Sequence, residues 1–139
     1  MIVVDEYVVL KVVSQSADVS SLPDETMGLP YLRHWRLVST LAKDEGSGRL
    51  SRALGQLSNE RRRFIEQPDA RLVQIIDPRP LILSAGRAHG LTGGLSALMA
   101  ESVAACLHYE SALYVGDPQN SIGAMADKVR SLGIDIVVV

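Results

Sequence analysis

Cysteine is scarce in this sequence, because Cys106 is the single one among 139 residues. One cysteine excludes an internal disulfide and provides no thiolate cluster for a metal. Cys106 lies in an apolar stretch with helical spacing, so we expect a buried and unreactive thiol. Histidine offers no zinc site either, since His34, His89 and His108 are scattered without ligand spacing.

Motifs of several common enzyme classes are also missing. The sequence has no G-x-S-x-G segment, which argues against the nucleophile of a serine hydrolase. The glycine-rich GLTGG at 90–94 lacks the lysine of a Walker motif and follows a predicted helix, so we interpret it as a flexible connection. Apolar runs long enough to cross a bilayer and a signal peptide are absent too. We therefore expect a cytoplasmic protein without membrane contact.

The composition is that of one globular domain with unevenly placed charge. The chain is 47% apolar, and its length suits a single domain over residues 1–139. The net charge is −2, yet residues 33–87 contain eleven of the fourteen basic residues and six of the sixteen acids. A segment of this sign suits a polyanion. A solvated helical surface explains it at least equally well, since the arginines at 61–63 point three ways around a helix.

Short apolar, β-branched runs predict strands, and stretches with helical spacing separate most of them. The predicted strands are Ile2–Val4, 72–75, 112–115 and 134–138, and the predicted helices cover 6–13, 30–43, 50–67, 79–89, 95–109 and 121–132. Residues 14–28 are polar and contain a proline, so we expect a loop or a short irregular helix there. The last strand, helix and strand form a β-α-β unit with a right-handed crossover. The predicted fold is therefore α/β, with a central parallel sheet flanked by helices.

Two aspartates follow predicted strands from opposite ends of the chain. Asp5 comes directly after the first strand, and Asp117 follows the strand over 112–115. Ligands of open α/β sheets lie at the carboxyl ends of the strands, and paired carboxylates suit Mg²⁺ or Mn²⁺. Aspartates also occupy strand ends to cap a helix or a turn, which needs no metal. The spacing alone leaves both interpretations open.

Four segments together resemble the PIN domains, in particular the VapC-type toxins of bacterial toxin–antitoxin pairs. They are MIVVD at the start, the helix over 30–41, AESVAACLHYESALYVGD, and LGIDIVVV at the end. The resemblance covers essentially the full length. It implies an endoribonuclease that depends on Mg²⁺ or Mn²⁺, with its acids at the carboxyl edge of a parallel sheet. It also implies a homodimer bound to an antitoxin-like protein.

The acids of the family pattern are only half present. The first family acid matches Asp5 and the last matches Asp117, so the resemblance makes these two the catalytic and metal-binding candidates. The second position, in the helix after a proline, contains Arg36, and the third contains Met99. Losing two carboxylates should weaken Mg²⁺ binding severely.

Neighbouring residues do not restore the missing acids convincingly. Ser102 lies near Met99 on the helical wheel but is a weaker oxygen ligand, so both belong to the predicted edge of the site. Glu101 lies about 200° around the helix from Met99 and should point away from the site. Glu6 follows Asp5, but we expect its side chain to leave the strand end in another direction.

Arg36 suggests a specific substitution for the metal. Its guanidinium is predicted either to lie between Asp5 and Asp117 and to supply the missing positive charge, or simply to face solvent. Two functions follow. One is a metal-dependent ribonuclease with weak or lost activity, and the other is a catalytically inactive PIN-like module that binds RNA or an antitoxin-like protein through its basic middle segment.

Overall fold

The computed structural model describes residues 1–14, 21–43, 48–92 and 94–139. The predicted connections at 15–20 and 44–47, and Gly93 of the glycine-rich segment, lie outside these ranges. The described residues form one five-stranded sheet in which all neighbouring strands are parallel, in the order β3-β2-β1-β4-β5. The strands are β1 Ile2–Val4, β2 Met27–Pro30, β3 Val73–Ile76, β4 Leu113–Val115 and β5 Ile136–Val138. The predicted α/β class is confirmed.

Helices cover both faces of this sheet. They are α1 Glu6–Ser14, α2 Tyr31–Leu41, α3 Arg49–Gly55, α4 Asn59–Glu66, α5 Ile82–Thr92, α6 Ala97–Tyr109, α7 Pro118–Ser121 and α8 Ala126–Ser131, with 3₁₀ turns at Arg79–Leu81 and Gly123–Met125. Each face packs on its own apolar cluster, with Val3 in one cluster and Ile2 and Val4 in the other. β1 is central and buried on both faces, which explains its continuous apolar run. None of the helices in the described ranges is long and apolar enough to cross a membrane.

Strand β2 begins at Met27, inside the segment 14–28 where a loop or a short irregular helix was expected, and ends at Pro30, where a helix was predicted to begin. That part of the prediction was wrong. Its sequence, MGLP, contains two residues that strands usually avoid. The structure explains the glycine, because a Cβ at Gly28 would lie 2.8 Å from Met1 Sδ and 2.9 Å from Ile76 Cδ1. Pro30 closes the strand and leads directly into α2, where its lack of an N–H costs little. Tight packing between β1 and β3 therefore overrides the local preference of this segment.

The helix predicted over 50–67 is two helices, and the one predicted over 121–132 is interrupted. Ser58 caps α4 by accepting a hydrogen bond from the Arg61 amide. At the end of the chain, α7 begins already at Pro118, and Gly123 breaks the helical run with a positive φ of 56°. Gly133 ends α8 as predicted, with φ of 83°. Cys106 is buried in α6, as expected, and this burial raises the pKa of its thiol to about 12.

Candidate functional site

The two strand-end aspartates lie at the same edge of the sheet. β1 pairs directly with β4, so the ends of these strands are neighbours. The Gly116 amide, next to Asp117 in the chain, donates to both carboxylate oxygens of Asp5 at 3.1 and 3.2 Å. This contact needs a glycine, because a Cβ at Gly116 would lie 2.7 Å from the carbonyl carbon of Tyr7. The carboxyl edge of the sheet is thus closed tightly around Asp5.

Asp5 is completely buried and is bonded to the backbone. In addition to the Gly116 contacts, its Oδ1 accepts a hydrogen bond of 2.8 Å from the Val8 amide in the first turn of α1. Burial raises the pKa of Asp5 to about 6, against the opposing influence of the positive charge on Arg33. The oxygens of this carboxylate therefore hold the start of α1 against the end of β4.

A fully buried arginine lies at the centre of the site. The Nη1 atom of Arg33 donates to Glu6 Oε2 at 2.6 Å and to Ser121 Oγ at 3.1 Å. Its Nε donates to Ser102 Oγ at 2.7 Å, and its Nη2 lies 3.5 Å from Met99 Sδ. The guanidinium thus joins α1, α2, α6 and α7. It contacts Met99, the residue at the third acid position of the PIN pattern.

Arg36 binds Glu6 and does not bridge the two aspartates. Its Nη1 donates to Glu6 Oε1 at 2.5 Å, and its guanidinium lies over the ring of Tyr7, 5.8 Å from the centroid. Within the described ranges, no hydrogen bond or ion pair joins Arg36 to Asp5 or Asp117, so the predicted bridge was wrong. The expected direction of Glu6 was wrong too, because this side chain turns inward and is completely buried.

Glu6 turns inward because Arg33 and Arg36 of α2 both bind its carboxylate. They lie three residues apart, on one face of the helix, and each binds one oxygen of the same carboxylate. Glu6 is the first residue of α1, and its side chain contacts that face of α2. The two positive charges of α2 therefore balance the two buried negative charges that begin α1, those of Asp5 and Glu6.

Asp117 is the N-cap of α7. Its carboxylate accepts hydrogen bonds from the backbone amide and the side-chain amide of Asn120, at 3.4 and 2.9 Å. Arg49 Nη1 lies 3.1 Å from Oδ2, and the hydrogen bonds to Asn120 lower the pKa of Asp117 below its usual value. This is the capping role that the sequence left open as the alternative to a metal ligand.

Glu101 caps a different helix. Its Oε1 accepts a hydrogen bond of 3.0 Å from the Leu32 amide, in the first turn of α2. The side chain is almost completely buried, and burial raises its pKa. A carboxylate at this end is favourable because the first turn of a helix exposes unpaired N–H groups and carries partial positive charge. Glu101 therefore supports the helix that carries Arg33 and Arg36.

The acids at this edge do not fit a divalent cation. Both oxygens of Glu6 are bound to guanidinium groups, and those of Asp5 are bound to backbone amides. The Arg33 charge is permanent and lies within the cluster. Among the residues that the structure describes, no group of three His, Cys, Asp or Glu side chains is placed to hold a metal. We therefore assign no step of a reaction to a metal at this site.

Sequence reasoning missed Arg33 because the buried face of α2 was assigned incorrectly. The spacing of its apolar residues predicts that this helix buries a stripe formed by Leu32, Trp35, Val38, Leu41 and Ala42. The structure instead buries Arg33 and Leu37 and leaves Trp35 61% exposed. One feature of the sequence could have indicated the burial of Arg33. This arginine lies four residues before Leu37, so both side chains are on the same face of the helix. An arginine on such a face is normally interpreted as solvated, and nothing in its own sequence neighbourhood corrects that.

A cleft of about 650 Å³ opens beside Asp117, between α1, α3, α4 and the start of α7. Its charged lining residues are Lys11, Arg49, Arg61 and Asp117. Because three cations face one acid, the cleft has a net positive charge, although Asp117 partly neutralises Arg49. The cleft is suited to an anionic group of a ligand.

Comparisons with known proteins did not identify a relative of this chain. The order of the strands and the two aspartates at one sheet edge are compatible with the predicted PIN-like architecture. The resemblance itself stays a prediction from the sequence motifs. No protein family, no curated protein and no solved structure matches this chain.

Proposed function

We propose that this protein is a PIN-like module that binds RNA without cleaving it. The observation that carries the proposal is Arg33, which is completely buried and bonded to Glu6 at the sheet edge where the PIN resemblance expects a metal. A fixed guanidinium neutralises the acids as a divalent cation does, but it has no open position for water and cannot lower the pKa of a bound water. Arg33 can therefore neutralise the buried acids as a cation would, but it cannot activate a water molecule for RNA cleavage.

The cleft beside Asp117 supports RNA as the partner. Lys11, Arg49 and Arg61 line it, and they project from three different helices. Positive charges arranged around a groove bind the phosphates of single-stranded nucleic acid without reading its sequence. Arg63, two residues after Arg61 in the chain, is exposed and adds to the positive charge of this segment.

A binding titration tests the proposal. The anisotropy of a labelled single-stranded RNA, measured in EDTA, should show saturable binding that weakens with salt. Three phosphate contacts give a slope of about −2 in log K against log salt. Arg49→Ala and Arg61→Ala should weaken binding, whereas Arg52→Ala, on the same helix as Arg49 but outside the cleft, should change it little. Absence of binding at low salt contradicts the proposal.

A metal-dependent ribonuclease is the second candidate, and one observation favours it. Asp5 and Asp117 follow neighbouring strands, the arrangement from which PIN-type sites are built. RNA cleavage that requires Mn²⁺ and disappears in Asp5→Asn would favour this candidate over the binding module. The same variant serves as the control for a contaminating nuclease, whose activity it leaves unchanged. An antitoxin-like partner and a homodimer stay predictions of the family resemblance.

A further inference from the structure

The lining of the cleft beside Asp117 combines two kinds of residue. Three are the cations Lys11, Arg49 and Arg61. Others are apolar, and these are Leu10, Ala53, Leu57 and Pro118. A volume of about 650 Å³ lies within the usual range for pockets that enclose a small organic ligand. A groove that only follows an RNA backbone needs the charges but not the apolar residues.

Tyr7 provides a second, independent observation. The side chain lines the cleft and the residue is only 7% exposed. Its hydroxyl makes no hydrogen bond within the described part of the chain, and because the oxygen is not among the fully buried side-chain atoms, a ligand can reach it. A ligand with a donor or acceptor at this position, such as a ribose hydroxyl or a phosphate oxygen, would satisfy it.

We propose that this cleft binds one nucleotide unit, with its phosphate on Lys11, Arg49 and Arg61 and its nucleoside against the apolar residues. The inference rests on the proposed RNA-binding function and names the part of the RNA that the cleft holds. Tyr7 then donates its hydroxyl hydrogen to the phosphate or the ribose. Gln56, which also lines the cleft, offers an amide to the base.

The cations of the cleft are available to a phosphate although each has a partner. Lys11 donates to the Val139 carbonyl at 2.7 Å, and Arg61 donates to the Ser14 carbonyl at 3.5 Å. A guanidinium has five N–H donors, so one such contact leaves others for a ligand. The Arg49 side chain is 71% exposed, and its ion pair with Asp117 is of the surface kind, which contributes little to stability. The side chain of Arg49 can therefore turn toward a phosphate group at a small cost in stability.

Calorimetric titration of the full chain with AMP, CMP, GMP and UMP tests this inference. Adenosine and inorganic phosphate are the two control ligands. We expect saturable binding of at least one nucleoside monophosphate, with a Kd at least tenfold lower than that of either control. Arg49→Ala and Arg61→Ala should each raise that Kd about tenfold, the usual effect of losing one charge-assisted hydrogen bond. Arg52→Ala should leave it unchanged, and Tyr7→Phe, which removes only the hydroxyl, should raise it several-fold.

The outcomes separate this inference from the function on which it rests. Phosphate binding as tight as nucleotide binding overturns the inference, because the apolar residues then contribute nothing. RNA binding that depends on Arg49 and Arg61 without any nucleotide binding also overturns it, and leaves the RNA-binding function intact. Nucleotide binding without RNA binding supports the nucleotide site and overturns the RNA-binding function.

Discussion

The guanidinium of Arg33 and the carboxylate of Glu6 form an ion pair of 2.6 Å in which both side chains are inaccessible to solvent. Burying either charge alone is costly, and the pair is tolerated because Ser102 and Ser121 occupy further donors of the guanidinium. Arg36 binds the second oxygen of Glu6 from the partly exposed side. Together with Asp5, these residues form a nearly neutral cluster in which two guanidiniums supply the charge of one divalent cation.

Breaking this pair on one side should destabilise the protein strongly. Glu6→Leu leaves the Arg33 charge buried without its carboxylate, and Arg33→Met does the converse, so each should cost about 3–5 kcal/mol. The double variant Glu6→Leu with Arg33→Met removes both buried charges and should cost clearly less than the sum of the single effects. Urea unfolding of the four proteins gives the coupling energy.

Arg36→Met is the matched control for that cycle. Its guanidinium binds the same carboxylate, but the side chain is 34% exposed and Glu6 keeps Arg33 as a partner. We expect a loss of about 1 kcal/mol or less. A loss from Arg36→Met as large as that from Arg33→Met would contradict the central role that we assign to Arg33.

The ionisation of Asp5 should make the protein less stable as the pH rises from about 4 to about 6. The pKa of Asp5 is raised from 3.8 to about 6 in the folded protein, so in this interval the folded state holds a proton that the unfolded state has released. Stability falls with pH wherever the folded state binds more protons. A shift of this size corresponds to about 3 kcal/mol of stability, which is present below pH 4 and is lost as the pH rises through 6.

Asp5→Asn isolates this effect from the other carboxylates. Asp69, Asp77 and Asp117 have lowered pKa values and contribute the opposite slope, which both proteins share. The unfolding free energy of the native chain minus that of Asp5→Asn, measured by urea titration, should therefore fall from about pH 4 through pH 6 and become constant at about pH 7. A difference that is flat with pH, or that rises, contradicts the raised pKa.

Local sequence patterns predicted the central strand of the sheet but not the buried arginine of the site. The apolar run of β1 identifies a buried strand by itself. Strand β2 has no such run, lies between β1 and β3, and has the side chains of Met1 and Ile76 close to Gly28. The two aspartates were found because strand ends are visible in sequence. Arg33 was not, since its burial depends on Glu6, 27 residues away, and on Ser102, 69 residues away. Such distant charge pairing leaves no periodic signal.

The assignment of the buried face of α2 can be tested by two substitutions on that helix. Leu37 is completely buried, and Leu37→Ala should cost about 2–5 kcal/mol. Trp35 is the larger side chain and was expected in the core, but it is mostly exposed, so Trp35→Ala should cost about 0.5 kcal/mol or less. Thermal or urea unfolding measures both. If Trp35→Ala cost more stability than Leu37→Ala, the buried face of α2 would be the one predicted from the sequence.

Titration with Mn²⁺ decides between the guanidinium cluster and a metal site. Because Arg33 places a permanent positive charge beside Glu6, we expect no saturable rise of Tm at millimolar Mn²⁺ in the native chain. The double variant Asp5→Asn with Asp117→Asn should respond in the same way, since neither carboxylate then contributes to a metal site. A saturable rise in the native chain that is absent in the double variant would show that Asp5 and Asp117 hold a cation despite Arg33. In that case the ribonuclease, and not the binding module, is the better account of this protein.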